Sequence, residues 1–215
     1  MTKTTFISII FISAVLSTMS CKKKDDPAPA ASGPTTPATL TINSSYQASF
    51  SLDGTAISYI QSNPDFSLSY GAGGSIGSGG SPTNREFNAS AGLQSTNAAI
   101  TITKGTLTVV AGGYPSNSEF LAFFPAGAVG YAPATSGSHN GIVVSYWDGT
   151  TNWTSDNGTA DQTGSVFNFV ATKNVANPQD YDVKFYATFN CKLYDGAGNM
   201  KTLTNGNFIG DFANI

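Results

Sequence analysis

One stretch near the C-terminus constrains this chain more than any other. Tyr181, Val183, Phe185, Ala187, Phe189, Cys191 and Leu193 interleave strictly with Asp182, Lys184, Tyr186, Thr188, Asn190 and Lys192. Successive side chains of a strand point to opposite faces, so an apolar period of two held this long demands a long strand with one buried face. Asp195-Gly196-Ala197-Gly198-Asn199 then supplies turn chemistry, and Met200 to Thr204 returns as the hairpin partner. An earlier hairpin reads the same way: Tyr46, Ala48, Phe50 and Leu52 alternate with Gln47, Ser49 and Ser51 before Asp53-Gly54, a strong tight-turn signal.

Further strands are predicted at Thr55 to Tyr59, Phe66 to Tyr70, Arg85 to Leu93, Ala99 to Thr103, Thr106 to Val110, Glu119 to Phe124, Gly141 to Trp147 and Ser165 to Thr172. About ten closely spaced strands imply an all-β fold: an antiparallel β-sandwich, immunoglobulin-like or jelly-roll-like, or alternatively an open β-barrel. Ser, Thr, Asn and Gly take the polar positions that charged residues fill in helices, and no segment shows a 3.6-residue apolar period. Helix is expected to be minimal beyond the N-terminus.

That N-terminus reads as a signal peptide over residues 1–20. Lys3 supplies the positive start, and Phe6 to Met19 form an apolar run too short for the roughly 20 residues of a bilayer-spanning helix. Ser17, Thr18 and Ser20 lead into Cys21, and the segment resembles the lipobox of bacterial lipoproteins, with Thr18 where that pattern usually has Leu. The resemblance implies lipidation at Cys21 and anchoring by several acyl chains, where one chain would hold only marginally. Ordinary cleavage after Ser20, leaving a secreted protein, is the alternative. Lys22-Lys23-Lys24-Asp25-Asp26 follows, read either as a solvated spacer or as an outward export signal, for it resembles those of Bacteroidota surface lipoproteins. Pro27 to Pro37 complete a tether over residues 21–37 that favours extended conformations. Residues 38–215 are expected to form a single domain.

Within that domain nine Asp and two Glu oppose five Lys and one Arg, a net charge of −5. No basic patch exists, and nucleic acid is an unsuitable partner. The order of Gly141 to Tyr146, Asp148, Trp153 to Ser155 and Gln162 to Phe167, and the ending Phe189 to Tyr194 followed by Leu203 to Phe208, resembles small β-sandwich outer-membrane lipoproteins of Bacteroidota. These have no known function as a group. The resemblance implies a fold and an outer-membrane address, periplasmic or at the cell surface, and it carries over no catalytic residue.

The catalytic inventory is thin: one His, one Arg and two Glu serve the whole chain. His139 lies in a Ser/Gly loop with nothing to orient an imidazole. Gly73-Gly74-Ser75-Ile76-Gly77 matches the nucleophile-elbow string, but it sits in a Gly/Ser tract read as a flexible connection, without a following helix. Asp148, Asp156 and Asp161 cluster around Trp153, either as turn residues or as oxygen ligands for calcium, with turns the simpler reading. Cys191, with Cys21 acylated, has no disulfide partner and reads as a small buried hydrophobe. No cofactor or metal is expected, and no catalytic residue is assigned.

Aromatic residues are the candidate ligand-binding set, because Trp and Tyr faces stack on the apolar faces of sugars. If Ile142, Val144 and Tyr146 face the core, Trp147 faces outward, and Trp153, Tyr131 and Tyr114 could join it. Each is equally suited to filling a core. The leading expectation is a membrane-anchored, noncatalytic binding or accessory domain, with glycan as the candidate ligand. An accessory role toward another envelope protein would show as an exposed apolar patch or an unpaired edge strand. A hydrolase would need two of Asp148, Asp156, Asp161, Glu86 and Glu119 in one cleft.

Overall fold

The computed structural model describes residues 40–75, 82–110, 114–134, 140–176 and 181–214. The elements in chain order are β1 (Gln47–Leu52), β2 (Thr55–Ile60), β3 (Phe66–Ser75), β4 (Thr83–Leu93), β5 (Ala98–Val109), α1 (Asn117–Ala122), β6 (Gly127–Val129), β7 (Gly141–Trp147), β8 (Asn152–Thr154), β9 (Val166–Ala176), β10 (Tyr181–Tyr194) and β11 (Met200–Ala213). The strands form one antiparallel sheet in the order β2-β1-β11-β10-β8-β7-β5-β4-β3. β9 pairs with the first part of β10, from Tyr181 to Asn190, and β6 pairs with β9. The all-β expectation holds, and the sheet curls into a nearly closed, barrel-like form. Its end strands β2 and β3 are consecutive in sequence, and β11 lies close to β3 and β4 across the interior.

Alternation decides which side chains enter that interior. Along β10, Val183, Phe185, Ala187, Phe189, Cys191 and Leu193 are buried, as the periodicity requires, and Phe87, Ala89 and Ala91 follow the same rule on β4. Phe124, Phe212, Phe185 and Phe208 form a stack through the core, with successive ring centroids 4.6, 4.4 and 5.5 Å apart and planes within 14°. Each such ring removes on the order of 2–3 kcal/mol of apolar surface from water.

The turns follow their residues too. Asp53 and Gly54 both take positive φ, 48° and 84°, which places the β1–β2 hairpin in the mirror-image turn favoured by strand twist. Asp195 Oδ1 accepts from the amides of Ala197 and Asn199, closing the β10–β11 turn.

Several strand assignments differ from the sequence expectation. Glu119 to Phe124, expected as a strand, lies in and just after α1. Ser116 Oγ accepts from the Glu119 amide while Glu119 Oε2 accepts from the Ser116 amide, a capping box whose Ser-x-x-Glu spacing outweighs the local apolar content. The two strands expected on either side of Lys104-Gly105 are one strand, β5, with a register shift opposite Arg85 and Phe87. Gly71 to Ser75, read as flexible connection, extends β3 against Asn84 to Asn88. There the neighbouring ladder dictates conformation where the residues themselves are permissive.

Candidate functional site

The signal peptide, Cys21 with its tether, and His139 lie outside the described residues. The four aromatic candidates are described, and the structure does not bring them together. Trp153 points into the core with 8% of its surface exposed, and its indole Nε1 donates to Asp148 Oδ2 at 2.9 Å. It is a packing residue rather than a surface platform, because its strand partner Tyr146 is itself inward-facing. Tyr131 packs edge-on against Phe167 and donates its hydroxyl to the Asn190 carbonyl at 2.9 Å; burial raises its pKa. Tyr114 is 62% exposed and lies under the Arg85 guanidinium, 4.8 Å from ring centroid to Cζ.

Trp147 alone of the four occupies the outer sheet face beside a groove. Ile142, Val144 and Tyr146 are buried on one face; Val143, Ser145 and Trp147 alternate onto the other, where Val143 is buried as well and Ser145 and Trp147 are half-buried. The strands to either side carry small polar residues in register. One row runs Ser69, Ser90, Thr101, Ser145 and Thr154, with the Thr101 hydroxyl donating to Ser90 Oγ at 3.0 Å. The next runs Gly71, Asn88, Thr103 and Val143. From these rows Asn88, Thr103, Val143, Ser145 and Thr154, together with Gly73, Glu86, Asn152 and Asp156, line a groove of about 320 Å³ crossing β3, β4, β5, β7 and β8. Trp147 follows Ser145 on the same face and pairs with Asn152, both groove residues; on its other side Ala99 and Gly92 continue the row. The indole thus stands at one end of a bed of amides and hydroxyls, beside a strip kept low by small side chains.

Two carboxylates, Glu86 and Asp156, border this groove. They come from β4 and from the residues after β8. Asp148 and Asp161, the other two acidic residues of this loop region, have partners of their own. Asp148 Oδ1 accepts from the amides of Thr151 and Thr150; these bonds, with that from Trp153 and the nearby Lys201 ammonium, hold its carboxyl below the usual range. Asp161 pairs with Lys192 at 2.6 Å and accepts from the Thr163 amide at 3.0 Å. Among the described residues no group of three or more His, Cys, Asp and Glu could hold a metal ion.

The feature that sequence reasoning did not assemble is the Ser/Thr/Asn content of the outward positions on β4, β5 and β7. Those positions became a shared surface only once strand order was known. Comparison with protein-family models, with curated proteins and with solved structures finds no match to this chain.

Proposed function

We propose that this chain is an exported lipoprotein, anchored through Cys21, whose β-domain binds glycan without catalysis in the groove beside Trp147. The observation that carries the reading is the register of the outer face. Side-chain amides and hydroxyls of Asn88, Thr103, Ser145, Asn152 and Thr154 line one groove, and an outward indole flanks it. Amides and hydroxyls both donate and accept, matching the paired demands of vicinal sugar hydroxyls, and the indole face suits the apolar face of a pyranose.

A glycan array probed with the wild-type domain and Trp147→Ala tests this directly. Binding that drops at least tenfold in the variant supports the groove, whereas turnover of any oligosaccharide abolished by Glu86→Gln or Asp156→Asn refutes the noncatalytic reading. A second reading, an accessory role toward another envelope protein, draws on β9. Among the described residues β6 covers this strand only from Phe167 to Phe169, and Val170 and Val175 beyond it are exposed. Capture of an envelope protein that a Val170→Lys change prevents, with no glycan bound, would favour that role.

A further inference from the structure

We propose that the outer face of β9, β10 and β11 holds a second, charge-free binding groove for uncharged glycan chains, so that one domain engages two chains on opposite faces. The groove, about 400 Å³, is lined by Val166, Thr188, Phe189, Asn190, Asn205, Gly206 and Asn207. Its shape comes from a bulge. β11 carries an extra residue against both neighbours, since its register shifts between Phe189 and Cys191 on β10 and between Ser49 and Ser51 on β1. Asn205 takes φ +53° there and is exposed, while Gly206 sits so close that a Cβ would lie 2.7 Å from the Phe189 carbonyl oxygen. Bulges of this kind re-aim side chains and recur beside binding sites.

The hydrogen-bonding groups are positioned and partly unspent. Asn190 Oδ1 accepts from the Val166 amide at 2.6 Å, which fixes the side-chain orientation and leaves Nδ2 as a donor. The Tyr131 hydroxyl, donating to the Asn190 carbonyl at 2.9 Å, secures the same residue from inside the sheet. Asn207 is oriented by the Tyr186 hydroxyl at 3.1 Å. The Thr188 hydroxyl and the Asn205 amide have no partner among the described residues, and none of the lining residues is ionisable. Fixed amides and a hydroxyl without charge suit a neutral polyhydroxylated chain and give a phosphate or carboxylate nothing to pair with. The 55% exposed Val166 offers an apolar edge to the C–H face of a sugar.

β11 packs across the interior against β4, so the outer face of β10 and β11 points away from that of β4 and β5, where the Trp147 groove lies. Two chains can therefore be held at once, and linked sites gain avidity on a polymer. The second groove stands on its own geometry. Trp147→Ala therefore separates its failure from that of the first.

The test titrates the full chain, ¹⁵N-labelled, with cellohexaose, maltohexaose, xylohexaose and mannohexaose. The expected result is a saturable shift of the Asn190 and Asn205 side-chain amide signals with at least one of them, retained in Trp147→Ala. The shift should weaken about tenfold in Thr188→Val/Asn205→Gly, which keeps the strand shape and the left-handed backbone while removing two polar partners. A melting temperature equal to wild type confirms that this variant is folded. No saturable shift with any of the four sugars overturns the proposal. So does a shift that disappears with Trp147→Ala or survives Thr188→Val/Asn205→Gly unchanged, and so does tighter binding of a neutral Ser/Gly peptide than of every sugar.

Discussion

The Lys104 ammonium lies 3.3 Å from the centroid of the Phe123 ring, on the inward face of β5 with only 7% of the residue exposed. The aromatic face offsets part of the desolvation of the charge. Burial still lowers the Lys104 pKa from 10.5 to about 8.

A pH dependence follows from that position. Between about pH 8 and 10 an unfolded chain keeps the Lys104 proton that the folded chain has released, so stability rises with pH across this window. Below it the folded state bears the whole penalty, up to about 3 kcal/mol. From about pH 9 the buried Cys191 thiol, held up to about 12, begins to offset this rise, and above about pH 10 the slope reverses, because burial first of all raises the pKa of Tyr46, Tyr59 and Tyr131 too, and these groups ionise earlier once unfolded. Urea unfolding of wild type and Lys104→Met at pH 7, 8, 9 and 10 should show the rise in wild type alone. Parallel profiles for the two proteins contradict it.

Trp153 and Asp148 are expected to be coupled. Trp153→Phe keeps most of the buried ring surface and loses the bond from Nε1, for about 1–2 kcal/mol, whereas Trp153→Ala also opens a cavity and should cost about 3–5 kcal/mol. In Asp148→Asn the effect of Trp153→Phe should shrink, and a double-mutant cycle with no interaction energy would show that the bond contributes nothing. Because its backbone and side-chain donors depress the Asp148 pKa, its contribution is present above the ordinary carboxylate range and fades as pH falls through and below it.

Gly206→Ala should destabilise the domain by about 2–3 kcal/mol, because the new methyl meets the Phe189 carbonyl oxygen as well as its ring edge, and backbone cannot move aside as a side chain does. Thermal unfolding reads this out. A melting point within one degree of wild type would mean that the β11 bulge relaxes freely.

Thiol counting tests the N-terminal assignment and the core together. Cys191 is buried, and burial pushes its thiol up to about 12, so the native protein should not react with a disulfide reagent at pH 8. After denaturation the mature protein should show one thiol if Cys21 is acylated or if cleavage removed it, and mass spectrometry then distinguishes lipid from loss. Two thiols on denaturation refute acylation at Cys21.

The parts of the fold legible in the chain are those governed by neighbours in sequence. The alternation over Tyr181–Tyr194 placed β10 and its buried face, and Asp53-Gly54 placed the first hairpin. The outward direction of Trp147 followed from the same period on β7. The capping box at Ser116 and Glu119 is equally local, a Ser-x-x-Glu spacing that a reading by apolar content alone passes over. β6 and β8 could not be read, for three residues are too few to display a period and exist as strands through the partners they meet.

By itself, then, the sequence determined most of the strand character, the polarity of each face and the hairpin turns, because these depend on side-chain alternation, backbone preference and composition over a few residues. Only the tertiary structure decided that the sheet curls until β11 faces β4, that Trp153 turns inward while Trp147 borders a groove, and that polar residues from five strands share one surface. Strand order, register and bulges arise from pairings between residues far apart in the chain. Those pairings are settled by the packing of the whole core rather than by any local pattern.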